Sequence, residues 1–512
     1  MTEEASAFQN LTEPVEDDTA LDIDLDRASI PQLRLRMERG GLDAVGLTEA
    51  YLERIRALNP LLRAVLFVDP TALDQARASD RRRRDGQCAG PLDGIPVLVK
   101  DSVETAGLGT TAGSLALRGV PPARDAELVR RLRNAGAVIL GKTNLSEWSN
   151  FRSADSVSGW SAVGGQTVNP HVLDRSPGGS SSGSTAGVAA ALAQVAIGTE
   201  TDGSIIGPAG MAGVVGCKPT LGLVSRSGIV PISAEQDTPG PIARNTTDAA
   251  LALSVLQGRD PADPATRALP ADGGVHGFPP RSGALRGARI GLWQTPAAGD
   301  PVQQVLAKSA ELLRQEGAEV IDVDLPYQQL IGELHLSVLL GEFRRDIHAY
   351  LGGRAGGPRD LAGLIEYTSS DPRERACFDG QELFRLALAA PDPRSPQHRA
   401  RRAELADYAR RSIDEVLAAH QLSAIATVSN PVAWRIESGD EKGPLMSTTT
   451  PAAVAGYPSV TVPAGFVGPL PVGLSLIAGR WADARVLALA HGFEQAADAR
   501  RPPRYRRTVA GI

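Results

Sequence analysis

The sequence predicts an α/β fold. Three observations carry that expectation. Short apolar runs of strand length, such as Ile95 to Val99, Ala137 to Leu140 and Ser459 to Val462, recur along the chain. Longer segments with apolar residues at helical spacing separate them. Glycine-rich turns join the two kinds of segment, and no internal repeat is present.

The elements follow in chain order. Residues 1–28 open with many Asp and Glu and few apolar residues, which predicts an acidic disordered tail. Ser29 to Leu58 reads as two helices, with Asn59-Pro60 as the stop. Gly94 to Lys100 is a buried-strand pattern that ends in a charge. Asp125 is placed as the cap of a helix that runs to Gly136, and Ala137 to Leu140 is the next strand. Thr185 to Gln194 is an alanine-rich helix leading to a short strand before Gly198. Residues 259–286, rich in Pro, Gly, Ala and Asp, read as a connecting loop. Ala288 to Leu292 is a strand and Pro301 to Glu316 a helix. Residues 325–417 are mostly helical and lack the glycine motifs, so a substrate-facing cap is expected there, within one domain spanning 29–512. Ala424 to Thr427, Ser459 to Val462 and Val472 to Leu476 return to the sheet, and Ala484 to Ala496 is a closing helix.

Composition narrows the class. The 512 residues, 42% hydrophobic with a net charge of -6, can bury a large core. Mild acidity argues against nucleic-acid binding. The run Arg81-Arg82-Arg83-Arg84 precedes Asp85-Gly86 and reads as a solvated helix end. No stretch is long and apolar enough to span a membrane, and the first residues lack a basic-then-apolar leader. Cys88, Cys217 and Cys377 are scattered and odd in number, so neither a disulfide framework nor a metal site is expected, and a cytoplasmic location is.

Chemistry concentrates in a few places. Two serine-bearing turns lie 24 residues apart, Ser176-Pro177-Gly178-Gly179-Ser180-Ser181-Ser182-Gly183-Ser184 and Gly198-Thr199-Glu200-Thr201-Asp202-Gly203-Ser204. The small and apolar residues between them can pack only if both turns are buried side by side. Positive charge is almost all arginine, with lysine only at 100, 142, 218, 308 and 442. Arginine cannot lose its proton in a protein, whereas a desolvated lysine can. Lys100 arrives at a strand end, where sites in α/β sheets are built. The alternative for it is a plain ion pair with Asp101 or Glu104. In the second turn, Gly203 lets successive N–H groups converge, so those of Thr201, Asp202, Gly203 and Ser204 are candidates to hold an oxyanion.

At these residues the chain resembles the amidase signature family. Gly94 to Thr105 is similar to its lysine motif, Gly141 to Trp148 to its next landmark, Pro177 to Ser184 and Gly198 to Thr220 to its central signature, and Ala455 to Leu474 to its C-terminal block. The branch most similar is that of the bacterial peptide amidases, through Ser158-Gly159-Trp160-Ser161, Gly164-Gly165-Gln166-Thr167, Glu200 to Ser204 and Ser233 to Arg244. The wider family usually carries glycine where this chain has Asp202 and often arginine where it has Ile206.

The resemblance implies a mixed, twisted central sheet sandwiched by helices. It implies a hydrolase that releases ammonia from a carboxamide through an acyl-enzyme, without cofactor or metal. Ser204 would be the nucleophile, Ser180, after a cis peptide bond, the bridging acid-base, and Lys100 the neutral base. The expected partner is a small-molecule or peptide amide, the C-terminal amide of peptides first, with no nucleic acid and no membrane, and the chain would act as a monomer or homodimer. The alternatives are an amidase of small aryl or aliphatic amides and an amidotransferase component of the A type that needs partners. The lack of a buried strand before it argues against a G-x-S-x-G elbow at Gly179 to Gly183, and the missing Lys-Ser/Thr ending argues against a P-loop. His335, His348, Lys142 and Lys218 are expected to be structural or surface residues.

Overall fold

In the computed structural model, residues 23–271, 283–295, 299–436 and 448–509 are described. Residues 1–22 of the expected tail, part of the 259–286 connection and Lys442 lie outside them. The strands are β1 (Val65–Val68), β2 (Pro96–Lys100), β3 (Val138–Thr143), β4 (Trp160–Ser161), β5 (Gly165–Gln166), β6 (Val195–Glu200) and β7 (Val215–Lys218), followed by β8 (Thr238–Ala243), β9 (Arg289–Trp293), β10 (Glu319–Val323), β11 (Ala424–Val428), β12 (Ser459–Val467) and β13 (Leu470–Ile477). Eleven of them form one sheet in the order β1-β3-β2-β6-β8-β7-β12-β13-β11-β9-β10, and β4 and β5 pair separately.

The sheet is mixed, as expected. β2 runs parallel to β3 and β6, and β9 runs parallel to β10 and β11. The centre, β8, β7, β12 and β13, is antiparallel. Strands buried on both faces read as continuous apolar runs, which is why β2 and β6 have no polar alternation. Helices Ser182–Ala189 and Ile206–Ala212 pack on each other and on the sheet. Helices Thr246–Leu256, Asp300–Gln315 and Asp483–Ala497 form a second group. The segment expected to be mostly helical is so, with helices Gln328–Gly353, Leu361–Ser370, Glu382–Ala389 and Pro396–Ala419. It carries its own apolar cluster, in which Phe343 and Phe384 stack and meet Trp148 and Phe151. Among the described residues no helix is long and apolar enough to cross a membrane.

Several local expectations are corrected. Ile23, Leu25 and Ala28, assigned to the tail, are buried, with Leu25 in the main core. The second helix does not stop at Asn59-Pro60 but runs Ala44–Leu62. Pro60 lies in the last turn, where one lost N–H bond is offset by burial of Leu58 and Leu62. Arg63 then ends the helix in the left-handed region, at φ 49°. Asp125 is not a cap. Its carboxylate accepts from Ala106 N at 2.7 Å and Arg133 Nε at 3.0 Å, and the helix starts at Glu127. The alanine-rich helix starts three residues earlier than expected and ends at Ala189, because Ala191 turns left-handed at φ 51°.

Candidate active site

The register of the sheet builds the site. Val97, Leu98 and Val99 of β2 lie beside Val195, Ala196 and Ile197 of β6. Lys100, the next residue, therefore emerges beside the last residues of β6, where Thr199 meets it. Its side chain is fully buried. Its Nζ donates to Ser180 Oγ at 2.7 Å, Thr199 Oγ1 at 2.9 Å, Ser181 Oγ at 3.1 Å and Thr199 O at 3.2 Å. Every direct partner is an uncharged oxygen. Burial therefore dominates and lowers the lysine's pKa from the ordinary 10.5 to about 7, against the opposing charges of Asp237 and Glu200. Asp101 is occupied elsewhere, paired with Lys142 at 3.4 Å. Lys142 also donates to Val103 O at 2.6 Å and Thr110 Oγ1 at 2.9 Å, a structural anchor for the loop after β2.

The two serine turns meet as their composition required. Gly198 lies where β6 passes the first turn, and a Cβ there would sit 2.8 Å from Ser181 Oγ. Ser181 N donates to Ser204 O at 3.1 Å, which joins the turns directly. The Gly179–Ser180 peptide bond is cis. Ser184 Oγ donates to Ile197 O at 2.9 Å and ties the helix start to β6.

After β6 the chain leaves the sheet at Thr201, and Gly203 takes a left-handed φ of 77°. Glu200 holds the far side of this turn. Its Oε2 accepts from Ile205 N at 2.8 Å and Ile206 N at 2.9 Å, the first residues of the helix after Ser204. Among the described residues, the N–H groups of Thr201, Asp202, Gly203 and Ser204 meet no acceptor. Ser204 itself is 9% exposed. The structure thus brings Lys100, Ser180, Ser204 and the half-buried 201–203 turn into one cluster.

Other residues join the cluster from further along the chain. Thr201 Oγ1 donates to Asp237 Oδ1 at 2.5 Å, and Gln236 Nε2 donates to Thr201 O at 3.2 Å. Burial raises the Asp237 pKa to about 6. Gln236 and Asp237 belong to a segment already legible as part of the family likeness. His335, expected to be a structural or surface residue, comes from the helical layer to 3.8 Å from Asp202 Oδ2, and its Nε2 lies 3.1 Å from Gln236 Nε2. Arg402 reaches the same place, donating to Gln236 Oε1 at 3.1 Å and Glu235 O at 2.9 Å. No local signal marks these two, since only the tertiary fold carries them there. Among the described residues no group of three or more His, Cys, Asp or Glu is arranged to hold a metal.

A family model described as Amidase matches residues 46–487. The chain belongs to the amidase signature family. A probable amidase of Arabidopsis thaliana is 38% identical over 495 residues, covering 94% of this chain and 92% of that protein. The native peptide amidase of Stenotrophomonas maltophilia is 47% identical, with a TM-score of 0.87 over 93% of this chain and 98% of that one. The A-type component of a glutamyl-tRNA(Gln) amidotransferase from Roseiflexus castenholzii is 35% identical over 481 residues, 92% of this chain and 96% of that protein. The mixed sheet with its helical layers matches the fold of the peptide amidase structures, and the chain is an amide hydrolase.

Proposed function

We propose that this amidase releases ammonia from the C-terminal amide of peptides, through a nucleophile at Ser204, a relay at Ser180 and a neutral base at Lys100. The observation that carries the relay is the 2.7 Å contact between Lys100 Nζ and Ser180 Oγ in a buried site with no charged partner in contact. A serine hydroxyl donates and accepts at once, so Ser180 can pass a proton in either direction. With a pKa of about 7, Lys100 is poised near neutrality to take it.

In this reading Ser204 Oγ attacks the amide carbonyl carbon. Its proton moves to Ser180 Oγ, whose own proton moves to Lys100 Nζ. The oxyanion rests on the N–H groups of Thr201, Asp202 and Gly203. As the C–N bond breaks, Ser180 hands a proton to the leaving nitrogen and Lys100 restores it. Ammonia departs and Ser204 keeps the acyl group as an ester. Water then attacks that ester through the same relay and frees the acid.

The peptide preference is supported by the 47% identity to the peptide amidase of Stenotrophomonas maltophilia. The helical layer, with His335 beside Asp202 and Arg402 on Gln236 and Glu235, would close over a chain end. The likeness to A-type amidotransferase components keeps a second reading in view, in which the chain needs a partner. The test is ammonia release by the purified chain from a peptide amide several residues long, with product analysis. The expected products are the intact peptide acid and ammonia, and an acyl adduct trapped on Ser204. Internal fragments, or inactivity until a partner is added, would overturn the reading.

A further inference from the structure

The turn that follows β6 has to leave its N–H groups open, yet stay rigid. Its stiffness therefore comes from bonds made on its outer side. Thr201 is held by Asp237 and Gln236. Asp202 is held from the opposite end of the chain. Thr449 Oγ1 donates to its Oδ1 and Thr450 Oγ1 to its Oδ2, each at 2.7 Å. Gly203 leans on the same neighbour, since a Cβ there would meet Thr449 Oγ1 at 2.9 Å. His335 Nδ1 lies 3.8 Å from Asp202 Oδ2, on the side of the helical layer.

We propose that Asp202 is a positioning residue: its carboxylate clamps the oxyanion loop to Thr449 and Thr450 and so sets the turnover rate. This rests on the assignment of the Thr201, Asp202 and Gly203 N–H groups as the oxyanion donors. The family commonly carries glycine at this position, which has no side chain to clamp. Here the loop gains two charge-assisted bonds that tie it to a segment about 250 residues away in sequence. Charge-assisted bonds are strong because the acceptor is ionised, but the clamp needs acceptor geometry more than charge. An asparagine can still accept from Thr449, and the Thr450 hydroxyl can turn to accept from its amide.

The experiment compares Asp202→Ala, Asp202→Asn and the double variant Thr449→Val/Thr450→Val, reading kcat and KM for a peptide amide. A displaced oxyanion loop costs transition-state stabilisation and little ground-state binding. Asp202→Ala is therefore expected to lose about 10–100-fold in kcat with KM within about 3-fold of the parent. Asp202→Asn should recover most of that loss. The threonine double variant should show the same kcat loss, and adding Asp202→Ala to it should cost little more. Unchanged kcat in Asp202→Ala overturns the clamp. So does an Asn variant as slow as Ala, a loss confined to KM, or additive losses. Should Asp202→Ala fail to fold by circular dichroism, the threonine double variant alone decides by the same kcat criterion. The acyl adduct of the parent is mapped in parallel. An adduct away from Ser204 breaks the underlying assignment, whereas an adduct on Ser204 with unchanged kcat in Asp202→Ala breaks only the clamp.

Discussion

Lys100→Arg separates a proton acceptor from a buried cation. The parent lysine has a pKa of about 7, against 10.5 in water, because burial penalises its ammonium form. The neutral form is the base, so activity should rise with pH through about 7 and level off above it. One pH unit below that midpoint, roughly a tenth of the lysine is neutral, so kcat/KM should fall about 10-fold. Arginine keeps the charge but never becomes neutral near pH 8. Positioned general-base catalysis contributes about 10²–10⁴-fold, so Lys100→Arg should lose at least about 10²-fold at pH 8. The assay is ammonia release from a peptide amide between pH 5.5 and 9.5, with circular dichroism as the fold check. A folded arginine variant with near-parental turnover would remove Lys100 from the relay. A parental rate that falls as pH rises through 7 would show that the ammonium form is the working one.

Three further outcomes are expected. Burying this lysine costs stability wherever the unfolded chain would protonate it, and the sign is fixed by its lowered pKa. The unfolded state binds the extra proton between pH 10.5 and about 7, so the penalty is absent above 10.5, grows as pH falls and is complete below 7, at about 5 kcal/mol. Lys100→Met should flatten that part of the stability–pH curve in urea unfolding; an unchanged slope would contradict the assigned shift. Arg152, fully buried and 2.7 Å from Glu147 Oε2, sits over the Phe378 ring. Arg152→Ala should cost about 3–5 kcal/mol, because Glu147 loses its partner in a site that already raises its pKa by burial; a loss under 1 kcal/mol would show that the pair is not structural. Ser180→Ala should keep slight activity, since a water can partly replace one hydroxyl of a relay, and activity within about 3-fold of the parent would exclude Ser180 from the proton path.

The α/β class, the strand ending in Lys100 and the adjacency of the two serine turns are legible from the residues alone. The reason is that these features are local or close in sequence. β2 and β6 are buried on both faces, so their apolar runs are visible without a partner. The small residues between Ser180 and Ser204 leave only one compact way to return the chain. The likeness to one family then supplied roles that no pattern of hydrophobicity could. Boundaries are less legible where tertiary burial overrides local preference. Pro60 stays in its helix because Leu62 is buried, and Leu25 is in the core rather than in a tail.

Which charges meet depends on how distant segments fold together. From sequence, Lys100 could have paired with Asp101, its neighbour. In the fold Asp101 takes Lys142 and Lys100 is left among hydroxyls. That geometry, and not the presence of a lysine, lowers its pKa. His335, Thr449 and Thr450 reach the 201–204 turn across 130 or more residues of chain, and Arg402 reaches Gln236 and Glu235 beside it. Such contacts carry no local periodicity, because they depend on how the helical layer and the segment before β12 close over the turn after β6.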